Sequence, residues 1–213
     1  MSASTPDPER PALQGLLVDF GGVLTTDVFA SFRAFCEQEG LEPDTVRERF
    51  RGDPEARGLL EDLECGRMSE ADFEPRFAQV IGVADHERLI DRLFAGMQPD
   101  QAMLDAVRAA HDAGVRTGLI SNSWGHGRYD REQFPQLFHG TVISGEVGLR
   151  KPHPRIYQMG AEAIDLPPER CVFVDDLPGN LKPARELGMA TVHHRSAEET
   201  VPELEGVLGV RLR

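Results

Sequence analysis

The period of the apolar positions changes twice along the chain, and the two changes divide it. Near the start, Leu16-Leu17-Val18 is a short continuous apolar run between Gly15 and the Gly21-Gly22 pair. That pattern predicts a buried strand rather than a helix. From residue 27 to about 99 the apolar spacing is helical. Asp27 caps a helix carrying Val28, Phe32, Phe35 and Cys36 on one face, and Gly40 stops it. Pro43 suits the first position of a short helix reaching Phe50, and Asp53-Pro54 repeats that start signal. Ser69 and Asp72 resemble a capping box ahead of Phe73, Phe77, Val80 and Ile81, with Gly82 as the stop. A last helix is expected over about 85–95.

Beyond Pro99 the texture changes again. A helix over about 100–113 precedes a strand at 115–120, and further short strands are expected at 141–143, 171–174 and 191–192. Helices near 155–164, 178–187 and 197–208 alternate with them. Strand–helix alternation predicts a parallel sheet with right-handed crossovers, and the first strand belongs to that sheet. The predicted fold class is therefore α/β: a three-layer α/β/α, Rossmann-like core built from 13–25 and 99–213, with an inserted α-helical domain over 26–98. Residues 1–12 are rich in Ser, Pro and charge and are expected to form a disordered tail. No internal repeat is visible.

Composition narrows the class. The 213 residues suffice for one sizeable core plus a smaller insert, and 40% apolar with 28% charged residues is ordinary for a soluble protein. No apolar run approaches membrane-spanning length, and no secretory leader pattern follows the start. Cys36, Cys65 and Cys171 form no CxxC pair, which predicts reduced thiols in the cytoplasm and neither a disulfide framework nor a zinc site. A net charge of −13 disfavours nucleic acid as a partner.

Each predicted strand ends in polar residues of a useful kind. Asp19 ends the first, at the carboxyl edge where open α/β sheets bind ligands, and Gly21-Gly22 lets the backbone turn tightly behind it. Ser121-Asn122-Ser123 follow the 115–120 strand with hydroxyl, amide and main-chain donors. The loop after 141–143 delivers Lys151, a compact cation able to neutralise a phosphoryl group. Asp175-Asp176 end the 171–174 strand, and with Asp19 they offer the hard oxygen ligands that Mg²⁺ prefers.

With these residues in this order, the chain resembles the haloacid dehalogenase (HAD) superfamily of hydrolases, in the subfamily with a helical cap after the first strand. The resemblance runs from about Gly15 to Val192. It implies that Asp19 attacks phosphorus to form an aspartyl-phosphate and that the Gly21 carbonyl joins it on Mg²⁺. It places Ser121 and Asn122 on the phosphoryl oxygens, Lys151 at the third motif, Asp175 and Asp176 at the fourth with Asp176 touching the metal, and Asn180 in support. The expected activity is Mg²⁺-dependent hydrolysis of a small soluble phosphomonoester, a sugar phosphate among the candidates. The expected partner is a small phosphorylated metabolite, with no nucleic acid and no membrane, for a monomer or homodimer.

One position departs from the family pattern. Phosphatases of this family usually carry a second aspartate two residues after the nucleophile, as general acid and base, and here that residue is Gly21. Losing such a group costs about 10²–10⁴ in rate. A substrate with a good leaving group, or a proton from the cap, Thr25, Thr26 or His126, would compensate. The alternatives are a 2-haloacid dehalogenase-type hydrolase, or a weakly catalytic relative that binds a ligand or protein. The segment from Trp124 to Tyr129 reads equally as pocket lining or surface loop. His153 reads as loop packing or a helix start. His193-His194 point to opposite faces and are not expected to share a metal. Arg47, Arg49, Arg51 and Arg57 read as a solvated face.

Overall fold

The computed structural model describes residues 12–125, 127 and 129–213, so the tail expected over 1–12 lies, apart from Ala12, outside the described residues. The elements run in the order β1 (Gly15–Val18), α1 (Val28–Gln38), α2 (Thr45–Gly52), α3 (Pro54–Glu64), α4 (Glu70–Ile81), α5 (Leu89–Leu93), α6 (Gln101–Asp112) and β2 (Arg116–Ser121). Then follow α7 (Phe134–Leu137), β3 (Gly140–Ile143), α8 (Ser144–Val147), α9 (Pro154–Ala163), β4 (Cys171–Asp175), α10 (Pro178–Glu186), β5 (Ala190–His193) and α11 (Ala197–Leu208).

The five strands form one parallel sheet in the order β3-β2-β1-β4-β5. β1 is central and wholly buried, which is why its sequence is a continuous apolar run. Leu16 and Val18 pack on one face with Met103, Val107 and Leu204 from α6 and α11. Leu17 faces the other way, among Ile120, Tyr157 and Phe173 under α9 and α10. Each such buried side chain contributes roughly 1.5–3 kcal/mol. Gly160 lets α9 sit tightly on the sheet, since a Cβ there would lie 2.3 Å from Ile120 Cδ1.

Helices α1 to α5 bury a core of their own, with Phe32, Phe35, Phe73, Phe77, Leu89 and Leu93 at its centre. Side-chain caps start three of them: Asp27 accepts from Phe29 N–H, Asp53 from Glu55 and Ala56 N–H, and Ser69 from Asp72 N–H. The chain leaves the sheet layer and returns side by side. Thr26 N–H donates to the Gln98 carbonyl at 2.8 Å, Asp100 N–H to the Leu24 carbonyl at 2.9 Å, and Thr25 bridges Pro99.

Two helices differ from expectation. Pro43 does not open α2; it sits in a turn closed by Thr45 N–H on the Glu42 carbonyl, and the helix begins at Thr45. The helix expected over 85–95 is only α5, because Asp85 closes a local turn onto Glu87 N–H and Arg88 takes φ +51°. The single turns α7 and α8 were not expected; four residues are too few for periodicity to register. Among the described residues no helix is long and apolar enough to cross a membrane.

Candidate active site

Asp19 follows the last residue of β1, and its N–H extends the ladder onto the Val174 carbonyl at 2.9 Å. That bond fixes its direction at the carboxyl edge of the central strand. Beside it, β4 ends in Asp175 and β2 in Ser121. Lys151 arrives from the loop after α8 and is only 1% exposed. Its Nζ lies 2.8 Å from Asp19 Oδ1 and 2.7 Å from Asp175 Oδ2.

The ammonium is held from two sides. Asp175, fully buried, accepts on Oδ1 from Leu177 N–H at 2.8 Å and from Asn180 Nδ2 at 3.0 Å. Asn180 Nδ2 also reaches Oδ2, at 3.1 Å. The Lys151 main chain is gripped by Asn122, whose Nδ2 donates to the Lys151 carbonyl at 3.1 Å while its Oδ1 accepts the Lys151 N–H at 2.8 Å. The carboxamide of Asn122 is thus committed to positioning Lys151, and contact with a bound anion at this residue falls to its main chain. Ser121 Oγ is 2.9 Å from Tyr129 Oη.

Gly22 lies at φ +75°, and a Cβ there would come within 2.6 Å of Asp176 Oδ2. Only glycine satisfies both the left-handed backbone and the close approach. Thr25 Oγ1 accepts Gly22 N–H at 3.0 Å and completes the turn. His193 Nε2–H donates to the Asp176 carbonyl at 3.0 Å, whereas the His194 ring faces Thr200. The two histidines therefore have separate structural partners.

Carboxylate oxygens of Asp19, Asp175 and Asp176 all lie within 4.8 Å of one another, with one lysine among them. Burial, resisted by Lys151 and reinforced by the neighbouring aspartates, pushes the Asp19 carboxyl up to about 8. Burial and Asp175 likewise raise Asp176 to about 7. Burial alone would lower Lys151, but Asp175 and Asp19 outweigh it and hold the ammonium above its usual range. Fully ionised, the three carboxylates would carry more negative charge than one ammonium balances, and the raised Asp19 and Asp176 carboxyls are the consequence. Hard oxygen donors with excess negative charge fit a small divalent cation.

Above this floor is a cavity of about 250 Å³. Asp19, Gly21, Ser121, Asn122, Lys151, Asp176 and Asn180 all line it, and Asp175 lies beneath. Trp124 and Tyr129 also line it, so for those two residues the pocket reading holds; His126 and Arg128 lie outside the described residues. Thr25 and Thr26 are occupied elsewhere: the Thr25 hydroxyl donates to the Thr26 carbonyl, and Thr26 Oγ1 accepts Gln98 N–H. His153 is the N-cap of α9, accepting Arg155 N–H on its ring. Arg47 stacks over Phe29 at 5.0 Å, and Arg49 pairs with Asp53 at the surface.

Sequence reasoning missed Glu64 and Arg150. Glu64 ends α3 from the helical insert, is 4% exposed, and its Oε2 lies 2.6 Å from Arg150 Nε and 3.3 Å from Asn122 Nδ2. Burial, opposed by Arg150, raises its carboxyl to about 7. A glutamate at the end of an acidic amphipathic helix carries no signal that it turns inward. Tyr129, pushed to about 12 chiefly by burial, was named only within its segment.

Comparisons with known proteins identify the family. The sequence model of a family described as haloacid dehalogenase-like hydrolase matches residues 13–188. The mouse bifunctional epoxide hydrolase 2 is 30% identical over 94% of this chain; the chain spans 40% of that protein and 24% of its pig and rat counterparts. A glyceraldehyde 3-phosphate phosphatase of Methanopyrus kandleri is 30% identical over 61% of this chain and 55% of its own length. Among solved structures, a HAD family enzyme of Bacteroides thetaiotaomicron, in complex with magnesium and inorganic phosphate, superposes with a TM-score of 0.66 at 23% identity. That match covers 86% of this chain and 95% of that one.

Proposed function

Since the chain belongs to the haloacid dehalogenase-like hydrolase family, we propose that it is a Mg²⁺-dependent phosphomonoester hydrolase acting through an aspartyl-phosphate on Asp19. The observation that carries this reading is the convergence of three aspartates at the carboxyl edge of the sheet, two of them paired with one buried lysine. Without a metal, ionised Asp19 and Asp176 would repel each other and the phosphoryl group; a divalent cation would offset that charge. Asp19, Asp176 and the Gly21 carbonyl would hold Mg²⁺, with Asp175 orienting Lys151 because its own oxygens are already taken. When bound, the cation would supply positive charge that keeps Asp19 ionised and offsets the phosphoryl oxygens.

Asp19 Oδ1 receives both Lys151 Nζ and, at 2.6 Å, the Phe20 N–H, which leaves Oδ2 the less encumbered oxygen for attack. In the first step a carboxylate oxygen bonds to phosphorus and the ester oxygen departs with the alcohol, taking a proton. In the second, water attacks phosphorus and returns one proton to the enzyme group that protonated the alcohol; the bond from phosphorus to Asp19 breaks, inorganic phosphate leaves and the Asp19 carboxylate is restored. Lys151 neutralises the phosphoryl group in both. Gly21 has no proton to exchange; Glu64 and Tyr129, which line the same cavity, are candidates to exchange it instead. Residues 26–98 are read as a cap domain over the core of 13–25 and 99–213, hinged at the paired segments 24–26 and 98–100.

The test is phosphate release from an activated aryl phosphate, with and without Mg²⁺, in wild type and Asp19→Asn. Turnover requires Mg²⁺ and falls at least about 10³-fold in the variant, as expected for loss of a nucleophile. Halide release from a 2-haloacid without Mg²⁺, and no phosphate release, would transfer the site to the dehalogenase reading.

A further inference from the structure

The helical insert contributes eight residues to the lining of the cavity, and seven of them are apolar. The eighth is Glu64, which is already paired with Arg150 and Asn122. Phe29, Phe32, Leu60, Phe94, Met97 and the core's Trp124 thus stand over a floor whose polar groups gather around Asp19 and Lys151. Polarity is divided by position: charge and hydrogen-bond donors below, hydrocarbon and aromatic rings above.

We propose that the leaving group is the alcohol of an apolar, hydroxyl-poor compound, so that this site takes an alkyl- or aryl-type phosphate monoester rather than a sugar phosphate. The inference rests on the phosphomonoesterase reading and names its substrate class. A sugar's hydroxyls would give up water for a wall with few partners to offer, and each one buried unsatisfied lowers affinity by roughly tenfold. An apolar body loses no hydrogen bonds and gains by leaving water, by roughly three- to fourfold in affinity per methylene. The cavity of about 250 Å³ has room for roughly eight groups of water or methylene size, so the gain ends before the chain reaches about eight carbons.

Trp124 is the only tryptophan in the chain and lines the cavity, so its fluorescence reports occupancy without turnover. The experiment titrates the full chain, with Mg²⁺, against non-hydrolysable linear alkylphosphonates from methyl to decyl, and against a sugar phosphonate of matching size. Dissociation constants should fall roughly three- to fourfold per methylene and then level off, with the sugar phosphonate at least tenfold weaker than the matching alkyl compound. Leu60→Asn should flatten that slope, with circular dichroism and thermal melting showing that the variant is folded. A flat series, or tighter binding of the sugar phosphonate, overturns the inference even if aryl phosphate is hydrolysed. A steep series in a protein that releases no phosphate from any ester keeps the apolar site and removes the hydrolase reading instead.

Discussion

Replacing Asp176 by Asn should make the metal-free protein more stable and abolish its response to Mg²⁺. The carboxyl is raised from 3.8 to about 7 by burial and by Asp175, so its ionisation is disfavoured by roughly 4 kcal/mol in the folded state. Asp176 keeps part of its surface in water, and solvent screening brings the usable figure to about 2 kcal/mol. The sign follows from linkage: a raised carboxyl favours the folded state below its unfolded value of 3.8 and loses that advantage as pH rises through about 7. In EDTA at pH 8 the Asn variant should therefore melt about 4–8 °C above wild type. Saturating Mg²⁺ reverses the order, since a ligand at 100 times its Kd adds about 2.7 kcal/mol to wild type and little to the variant. Differential scanning fluorimetry between pH 5 and 8, with EDTA or Mg²⁺, measures all of this. An Asn variant that melts below wild type in EDTA at pH 8 refutes the account of the cluster.

Other positions test other parts of the site. Gly22→Ala forces a Cβ into the left-handed region and to within 2.6 Å of Asp176 Oδ2; it should cost at least about 1–2 kcal/mol and weaken Mg²⁺ binding, read by chemical denaturation and by metal titration. Gly21→Asp meets only Val28 Cγ2, at 3.1 Å, so a shift of a few tenths of an ångström in Val28 accommodates it; the ratio of alkyl to aryl phosphate turnover should rise, by up to the factor of about 10²–10⁴ that a general acid supplies. Glu64→Gln removes a buried carboxyl raised to about 7. The stability that wild type loses as pH climbs from about 4.5 through 7 should be largely retained in the variant, and a larger loss at pH 8 than in wild type would mean that the Arg150 pair outweighs burial.

The chain order of β1, the helical insert and the βα repeat is legible from local pattern alone, because each rests on short-range facts. Apolar period, caps at Asp27, Asp53 and Ser69, and glycine stops are properties of a few neighbouring residues. The motif residues were also legible, since strand ends in a parallel sheet collect at one edge whatever the details. Tertiary structure alone decided how those residues share work. Asn122 proved to grip the Lys151 backbone and to meet Glu64, and Asp175 to hold the Lys151 ammonium, because partners 24 to 58 residues away cannot be inferred from spacing. The same holds for Glu64 and for the aromatic wall: periodicity says that Phe29, Phe32 and Phe94 are buried, but not whether they face the insert's own core or the cavity above Asp19. Which apolar side chains meet a ligand depends on how the insert docks over the sheet edge, and that is set by long-range packing rather than by any local run of residues.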